Sequence, residues 1–470
     1  MRRRGGRSMT IGAALAVSGC ASDETGFVAP DACLAPVVMR STVPTNPTNV
    51  LSAFVVADVR LADSVVVRFG VNAALDSATP AFASTGDSTI APVLGLQPAT
   101  AYQAQIVAFN RCGTAAGGVL SFATGTLPAD LPAYTAAGAA PSPGYVVFSA
   151  GSYGLVIDNT GRVVWYHRFP NGVGLNFQAQ PNGRYAARPP TVSGEVASWV
   201  EIAATGTITR TLACARGLSP RMHDLIVEPD GSYWLLCDEV RTMDLSAQGG
   251  SPHARVLGTG VQRRNPAGDV LFEWSPFDHL AVELSVLDAA DRSTPVINWT
   301  HGNALDLDRD GNLLLSFRNL SEVTKVNTVT GAVMWRMGGA HNEFAFENAT
   351  APPFSRQHGV RATGDGQLLL LDNLGHSFGS RAERYEVDAA RHTARLSGSY
   401  ASSAGLIAQV GGTTQALADG HTLVSFGSGG GVEEYDAAGT VVWKLMGNPG
   451  YVFRAQRIRS LYHPGLGDPR

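Results

Sequence analysis

A short unit recurs along the second two-thirds of the chain: a turn, usually closed by glycine, followed by a β-branched strand that tends to end on an aromatic residue. Its copies are DNTGRVVWYHR, AATGTITRTLA, NPAGDVLFEWS, TVTGAVMWRMG and DAAGTVVWKLMG, with a weaker sixth in DAARHTARLSG. A single unit of this kind cannot bury its apolar face alone, whereas stacked copies share a continuous core. Six copies over residues 156–445 therefore predict a repeat architecture with one sheet per copy. A second unit, strand, tight turn and returning strand, lies between them: LNFQAQPNGRYAAR, MHDLIVEPDGSYWLLCDE, THGNALDLDRDGNLLLSFRN, QHGVRATGDGQLLLLDN and TTQALADGHTLVSFG. Each reads as a β-hairpin with glycine at its bend. Together the two units supply roughly four strands per copy, so the expected fold is all-β, a six-bladed β-propeller. The 53 Gly, 26 Pro and 16% charged residues agree, because they favour turns over long helices.

Ahead of the repeats, residues 34–126 carry short alternating runs such as SAFVVADVRL and SVVVRFGV, the pattern of a small β-sandwich. Within them LGLQPATAYQAQIVAFN resembles the fibronectin type III pattern, with Leu96, Pro98 and Tyr102 in the tyrosine-corner region. Residues 127–143, rich in Pro, Ala and Gly, read as a linker, which leaves 144–470 to the propeller. The first twenty residues combine an arginine-rich start with a short apolar run and end in Val17-Ser18-Gly19-Cys20, which resembles a bacterial lipobox. Cys20 is then the expected lipidation site, anchoring an extracytoplasmic protein at a periplasmic or cell-surface membrane. No other run of eighteen apolar residues exists, so the remainder is expected to be soluble. In an oxidising compartment the other four cysteines are expected to pair within each domain, Cys33 with Cys112 and Cys214 with Cys237, the second between neighbouring strands of one sheet. Their spacing lacks any CxxC pattern, which disfavours a cysteine metal site. The net charge of −4, with no basic stripe, speaks against nucleic acid as a partner.

The scaffold needs turns and apolar strands in every copy, but it does not need histidine. Three hairpin copies nevertheless carry one on the strand ahead of the turn: His223 and His358 seven residues before their turn aspartates, Asp230 and Asp365, and His301 nine before Asp310. Strand side chains alternate with period two, so a difference of two keeps the same face. Each hairpin also folds its far end back, returning Arg318 beside His301, Asp238 beside His223 and Asn373 beside His358. Any one of these histidines taken alone is more often a hydrogen-bonded structural residue. Three in register, with two copies lacking them, point to a site at the mouth of the central channel. His376, close after Asn373, is a rim candidate, whereas the other histidines fall outside the register. Imidazoles beside a guanidinium suit transfer of an anionic group, since arginine forks two oxygens and histidine serves as nucleophile, acid or base near neutral pH. No P-loop or paired carboxylate motif accompanies them. The same residues also fit a three-histidine metalloenzyme, or a cell-surface protein that binds an anion without turnover.

The segments RMHDLIVEPDG, NWTHGNALDLDRDGNLLLSFRN and RQHGVRATGDGQLLLLDN, in this order behind a β-sandwich, resemble the bacterial aryl-sulfate sulfotransferase (arylsulfotransferase) family. That resemblance implies a small-molecule aryl sulfate donor and a phenolic acceptor, with no nucleotide sulfate donor, cofactor or metal. It implies that His358 is the nucleophile and forms a sulfohistidine. His223 and His301 would move protons, and Arg318 would neutralise the sulfuryl oxygens. Asn303, Asn373 and Asp238 are the expected substrate-binding residues around them. The oligomeric state is left open by the sequence.

Overall fold

The computed structural model describes residues 33–350, 352–375, 379–447 and 449–465. Cys20 with its leader, and His376, lie outside the described residues. Among the described residues no helix is long and apolar enough to cross a membrane. The chain is all-β, arranged as two sheets from residues 37–123 and six further sheets from residues 136–458.

The first two sheets face each other across a core that period-two alternation dictates. Ala53, Val55, Ala57 and Val59 point inward from Ser52–Arg60, against Val65, Val67, Ala104, Ile106 and Ala108 of the opposite sheet. Tyr102 Oη accepts a hydrogen bond from the Gln97 backbone N–H at 2.9 Å, closing the turn before its strand. The Cys33–Cys112 disulfide, with 5.4 Å between Cα atoms, holds the N-terminal end of this unit.

Each of the six remaining sheets contains a four-stranded antiparallel meander whose third and fourth strands are joined by the recurring turn unit, and the short strands Ile297–Asn298 and Ala345–Glu347 pair in parallel with the third and fifth sheets. The second runs Phe177–Ala179, Tyr185–Ala187, Trp199–Ile202 and Ile208–Leu212. The third uses Ser219–Val227, Tyr233–Met243, Ala254–Arg264 and Val270–Trp274, and the fourth Gly302–Leu307, Leu313–Phe317, Glu322–Val326 and Val333–Gly338. His358–Ala362 and Thr413–Ala416 open the fifth and sixth. The first sheet is completed from the far end of the chain, because Ala455–Ile458 pairs with Tyr145–Ala150. Strands such as Leu313–Phe317 and Glu322–Val326 are buried at every residue, since both faces of each sheet meet a neighbour.

The aromatic end of the repeat has a structural reason. Trp165 of the first sheet donates its indole N–H to the Ala204 carbonyl in the turn of the second, at 2.8 Å. Trp274 of the third does the same to Gly331 in the turn of the fourth, at 3.1 Å. Trp443 of the sixth donates to Asn159 in the turn of the first, at 2.9 Å, so the series of sheets closes on itself.

Two features differ from the sequence reading. Within residues 127–143, taken as a linker, Ala136–Gly138 adds an edge strand to the sixth sheet by pairing with Trp443–Leu445. Gly138 is required there, because a Cβ would lie 2.2 Å from the Val442 carbonyl oxygen. The second disulfide, Cys214–Cys237, does not join neighbouring strands of one sheet; it ties the loop entering the third sheet to that sheet's second strand.

Candidate functional site

Each histidine lies on, or immediately before, the first strand of its sheet. His358 is the first residue of His358–Ala362, His301 immediately precedes Gly302–Leu307, and His223 lies within Ser219–Val227. In all three sheets the pairing with the second strand slips at this place, between Pro220 and Leu225, Gly302 and Ala304, and His358 and Arg361. A bulge re-aims side chains. The common direction of the histidines therefore comes from three bulges, and not from the uninterrupted period-two alternation that residue counting assumes. His301 also adopts φ 48°, a left-handed conformation unfavourable for a residue with a Cβ. The glycine after two of the histidines allows close approach to the next sheet. A Cβ on Gly302 would lie 2.7 Å from Thr259 Cγ2, and one on Gly359, at φ 64°, 3.1 Å from Thr413 Cα.

The three imidazoles converge. The ring centroid of His223 is 5.1 Å from that of His301 and 6.2 Å from that of His358. Arg318 returns to the same end of its hairpin, and its backbone N–H donates to the His301 carbonyl at 3.1 Å. Its guanidinium donates to the Gln409 carbonyl at 3.1 Å and to Asn319 Oδ1 at 3.2 Å, while its buried Nε has no partner among the described residues. Two further guanidiniums were missed in the sequence. Arg221 donates to both oxygens of Asp238, at 3.0 and 2.8 Å. Arg356 donates to Asn319 Oδ1 at 2.6 Å and is paired with Asp288 and Asp291. The signal was present, since both stand two residues before a site histidine, in Arg221-Met222-His223 and Arg356-Gln357-His358.

This environment keeps the imidazoles neutral. Burial is the largest cause for all three, followed by Arg221 for His223 and His301 and by Arg318 for His358. His223 and His301 are held well below the ordinary value of 6.5, and His358 falls to about 3. The neutral tautomer of His358 follows from its neighbour. Asn373 Nδ2 donates to the Ala408 and Gly411 carbonyls, both at 2.9 Å, which turns Asn373 Oδ1 towards His358 Nδ1 at 3.2 Å. Nδ1 therefore carries the proton, and Nε2 keeps its lone pair.

The depressed values set a pH dependence of stability. Above about pH 6.5 these histidines are neutral in both states; below it the unfolded chain binds protons that the folded chain refuses, so stability falls as pH drops towards about 3. The expected contribution of His358 is a loss of up to about 1.4 kcal/mol per pH unit in this window. Denaturant midpoints between pH 7 and 4 check it. The slope for His358→Gln is expected to be shallower than for the unsubstituted protein, and equal slopes would contradict the assignment.

Each of the residues expected to touch substrate contacts a neighbouring group. Asn373 orients His358, as described, and Asp238 holds Arg221. Asn303 Nδ2 donates to the Gln357 carbonyl at 2.7 Å, just ahead of His358; its Oδ1 is buried without a partner among the described residues. Asn298, not foreseen, donates to His301 Nδ1 at 2.8 Å. Among the described residues no group of three or more His, Cys, Asp or Glu is disposed to hold a metal ion.

An all-β chain with propeller-like sheets that gathers imidazoles and guanidiniums at one end of its inner strands defines the class. The family model described as Arylsulfotransferase (ASST) matches residues 217–448, a span that contains all three histidines and Arg318. Curated protein sequences give no match. Among solved structures, a protein of unknown function from Bacteroides caccae is 14% identical with a TM-score of 0.45, over 68% of this chain and 100% of that one. Virginiamycin B lyase from Staphylococcus aureus is 10% identical with a TM-score of 0.35, over 66% and 87%. Regucalcin from Agrobacterium tumefaciens is 14% identical with a TM-score of 0.33, over 69% and 92%.

Proposed function

We propose that this protein is an aryl-sulfate sulfotransferase that moves a sulfuryl group from an aryl sulfate ester to a phenolic acceptor through a sulfohistidine on His358, with no nucleotide sulfate donor. The observation that carries this reading is the convergence of three neutral imidazoles beside Arg318. Nε2 of His358 attacks sulfur, an N–S bond forms, and the S–O bond to the aryl group breaks. The departing phenolate takes the proton that His223 or His301 acquires from solvent when the donor anion binds beside Arg221 and Arg318. In the second half a phenol returns a proton to the cluster, its oxygen attacks sulfur, and the N–S bond breaks to restore neutral His358. Arg318 forks two sulfuryl oxygens as charge shifts to the leaving oxygen. An entering anion also offsets Arg221 and Arg318, which lets one of the other histidines hold the transient proton. Burial of the nucleophile keeps water from intercepting the intermediate.

The same reading takes the six sheets as blades of one propeller, residues 144–470, preceded by a fibronectin type III-like sandwich at 34–126. It takes Cys20 as the lipidated residue of an extracytoplasmic protein. The test is release of a chromogenic phenol from its sulfate ester by purified protein, with and without added phenol. Release that rises with acceptor is expected; release indifferent to acceptor would reject transfer.

A further inference from the structure

The segment between the last strand of the sixth sheet and Ala455–Ile458 places two aromatic rings at the site. The centroid of Phe453 lies 5.6 Å from that of His223 and 6.4 Å from that of His358, edge-on to both. Tyr451 stacks its edge on Phe453 at 6.4 Å and is 36% exposed, so the pair runs from the imidazoles outward to solvent. Two consecutive glycines make room for it. A Cβ on Gly411, at φ 71°, would lie 2.5 Å from Tyr451 Oη and 3.0 Å from Phe453 Cδ2, while the Gly412 N–H donates to the Phe453 carbonyl at 2.9 Å. The same Ala408–Gly411 stretch supplies the carbonyls that hold Asn373 and Arg318. Val410 in this stretch, and Leu374 after Asn373, are exposed. A cationic floor next to an apolar, aromatic side matches a molecule with a flat ring attached to a small anion. Among the described residues Phe453 is also the one aromatic ring outside the cluster in contact with these imidazoles.

We infer that this single aromatic wall, Phe453 extended by Tyr451, receives the ring of the aryl donor and then the ring of the phenolic acceptor, so that the two substrates compete for one ring subsite. The inference rests on the sulfotransferase reading for its second half. A ping-pong cycle permits sharing, because the first phenol leaves before the acceptor binds. Tyr451 acts as a specificity residue through its ring face, and its hydroxyl is dispensable.

The experiment compares the unsubstituted protein with Tyr451→Ala and Tyr451→Phe. Partial exposure of this position makes the alanine variant tolerable to the fold. Calorimetry reads binding of phenyl sulfate and of inorganic sulfate, and steady-state assays read KM for 4-nitrophenyl sulfate and for phenol. For Tyr451→Ala the affinity for phenyl sulfate and both KM values are expected to worsen together, by about 3- to 10-fold, as loss of one aromatic contact predicts. Affinity for inorganic sulfate is expected to stay unchanged, and Tyr451→Phe to behave as the parent. Phenol is also expected to inhibit competitively against the donor. A change in one KM alone overturns sharing, and an equal loss of inorganic sulfate affinity overturns a ring-specific role. Absence of turnover in the parent overturns the transfer reading, while the calorimetric comparison still decides whether Tyr451 recognises an aryl ring.

Discussion

Replacing His358 with alanine is expected to abolish acceptor-dependent release from an aryl sulfate, a loss of about 10³-fold or more in kcat. The expectation follows from the burial and tautomer of this side chain. His358 is 2% exposed, its Nδ1 proton is committed to Asn373, and its Nε2 is unprotonated at any pH above about 3. Neither His223 nor His301 is fixed in the same way. His223 Nδ1 has no partner among the described residues, and His301 Nδ1 accepts from Asn298, which leaves the proton on its Nε2. Their replacement is expected to slow the proton transfers, by about 10²- to 10⁴-fold, without preventing formation of the adduct. His358→Gln provides a second variant with less lost volume, so a folding defect can be separated from a chemical one. Mass spectrometry of the protein quenched during donor turnover should locate a sulfo group on His358. An adduct on another residue, or full activity in His358→Ala, would sink the assignment.

The architecture was legible where physics acts locally. The turn of the recurring unit is legible in each sheet, and in the first, third and sixth its tryptophan donates its indole N–H to the turn of the following sheet. The Arg318 return was legible for the same reason, since a hairpin fixes which residues share an end. The convergence of the histidines was reached from an incomplete premise. Counting in twos assumes an uninterrupted ladder, and all three strands are bulged beside their histidine. A bulge is set by packing between sheets, such as Gly302 against Thr259, and that packing is invisible in a single strand.

The aromatic wall was illegible for a related reason. Tyr451 and Phe453 lie about 95 and 230 residues from His358 and His223 along the chain, and only closure of the sheets brings them together. Asn373, expected to touch substrate, holds a site imidazole, and Asp238, expected likewise, holds a guanidinium. Their hydrogen bonds show why polar residues at such a site need not touch substrate: a buried imidazole or guanidinium needs a partner that fixes its orientation. The Arg-x-His pairs at Arg221 and Arg356 were visible, yet without tertiary structure they could not be told from surface arginines.

Replacing Asp224 with alanine is expected to destabilise the protein by about 3–5 kcal/mol, the cost of leaving buried guanidinium without its counter-charge. Asp224 follows His223 and is 1% exposed. Its Oδ1 accepts from Arg454 at 3.0 Å and from the Leu225 N–H at 3.1 Å; its Oδ2 accepts from Arg361 at 2.9 Å and from the Leu305 N–H at 3.1 Å. Leu225, Arg361 and Leu305 belong to the third, fifth and fourth sheets and Arg454 immediately precedes Ala455–Ile458 of the first, so one carboxylate ties four sheets together next to His223. Arg454 is 1% exposed, and burial pulls its guanidinium down to about 10 despite Asp224. Loss of the carboxylate would leave that charge with weaker compensation. Activity is expected to fall as well, because Arg454 also donates to the His223 carbonyl at 3.1 Å and to Asn176 Oδ1 at 3.0 Å, which in turn secures the His223 backbone. Asp224→Asn retains the shape and two of the four acceptor sites while removing the charge, so it should lose less through packing and nearly as much through electrostatics. Urea midpoints at pH 7 for both variants, with kcat measured well below the transition, provide the check. A destabilisation under about 1 kcal/mol, the range of an exposed ion pair, would show that this carboxylate is not the electrostatic centre of the inner strands.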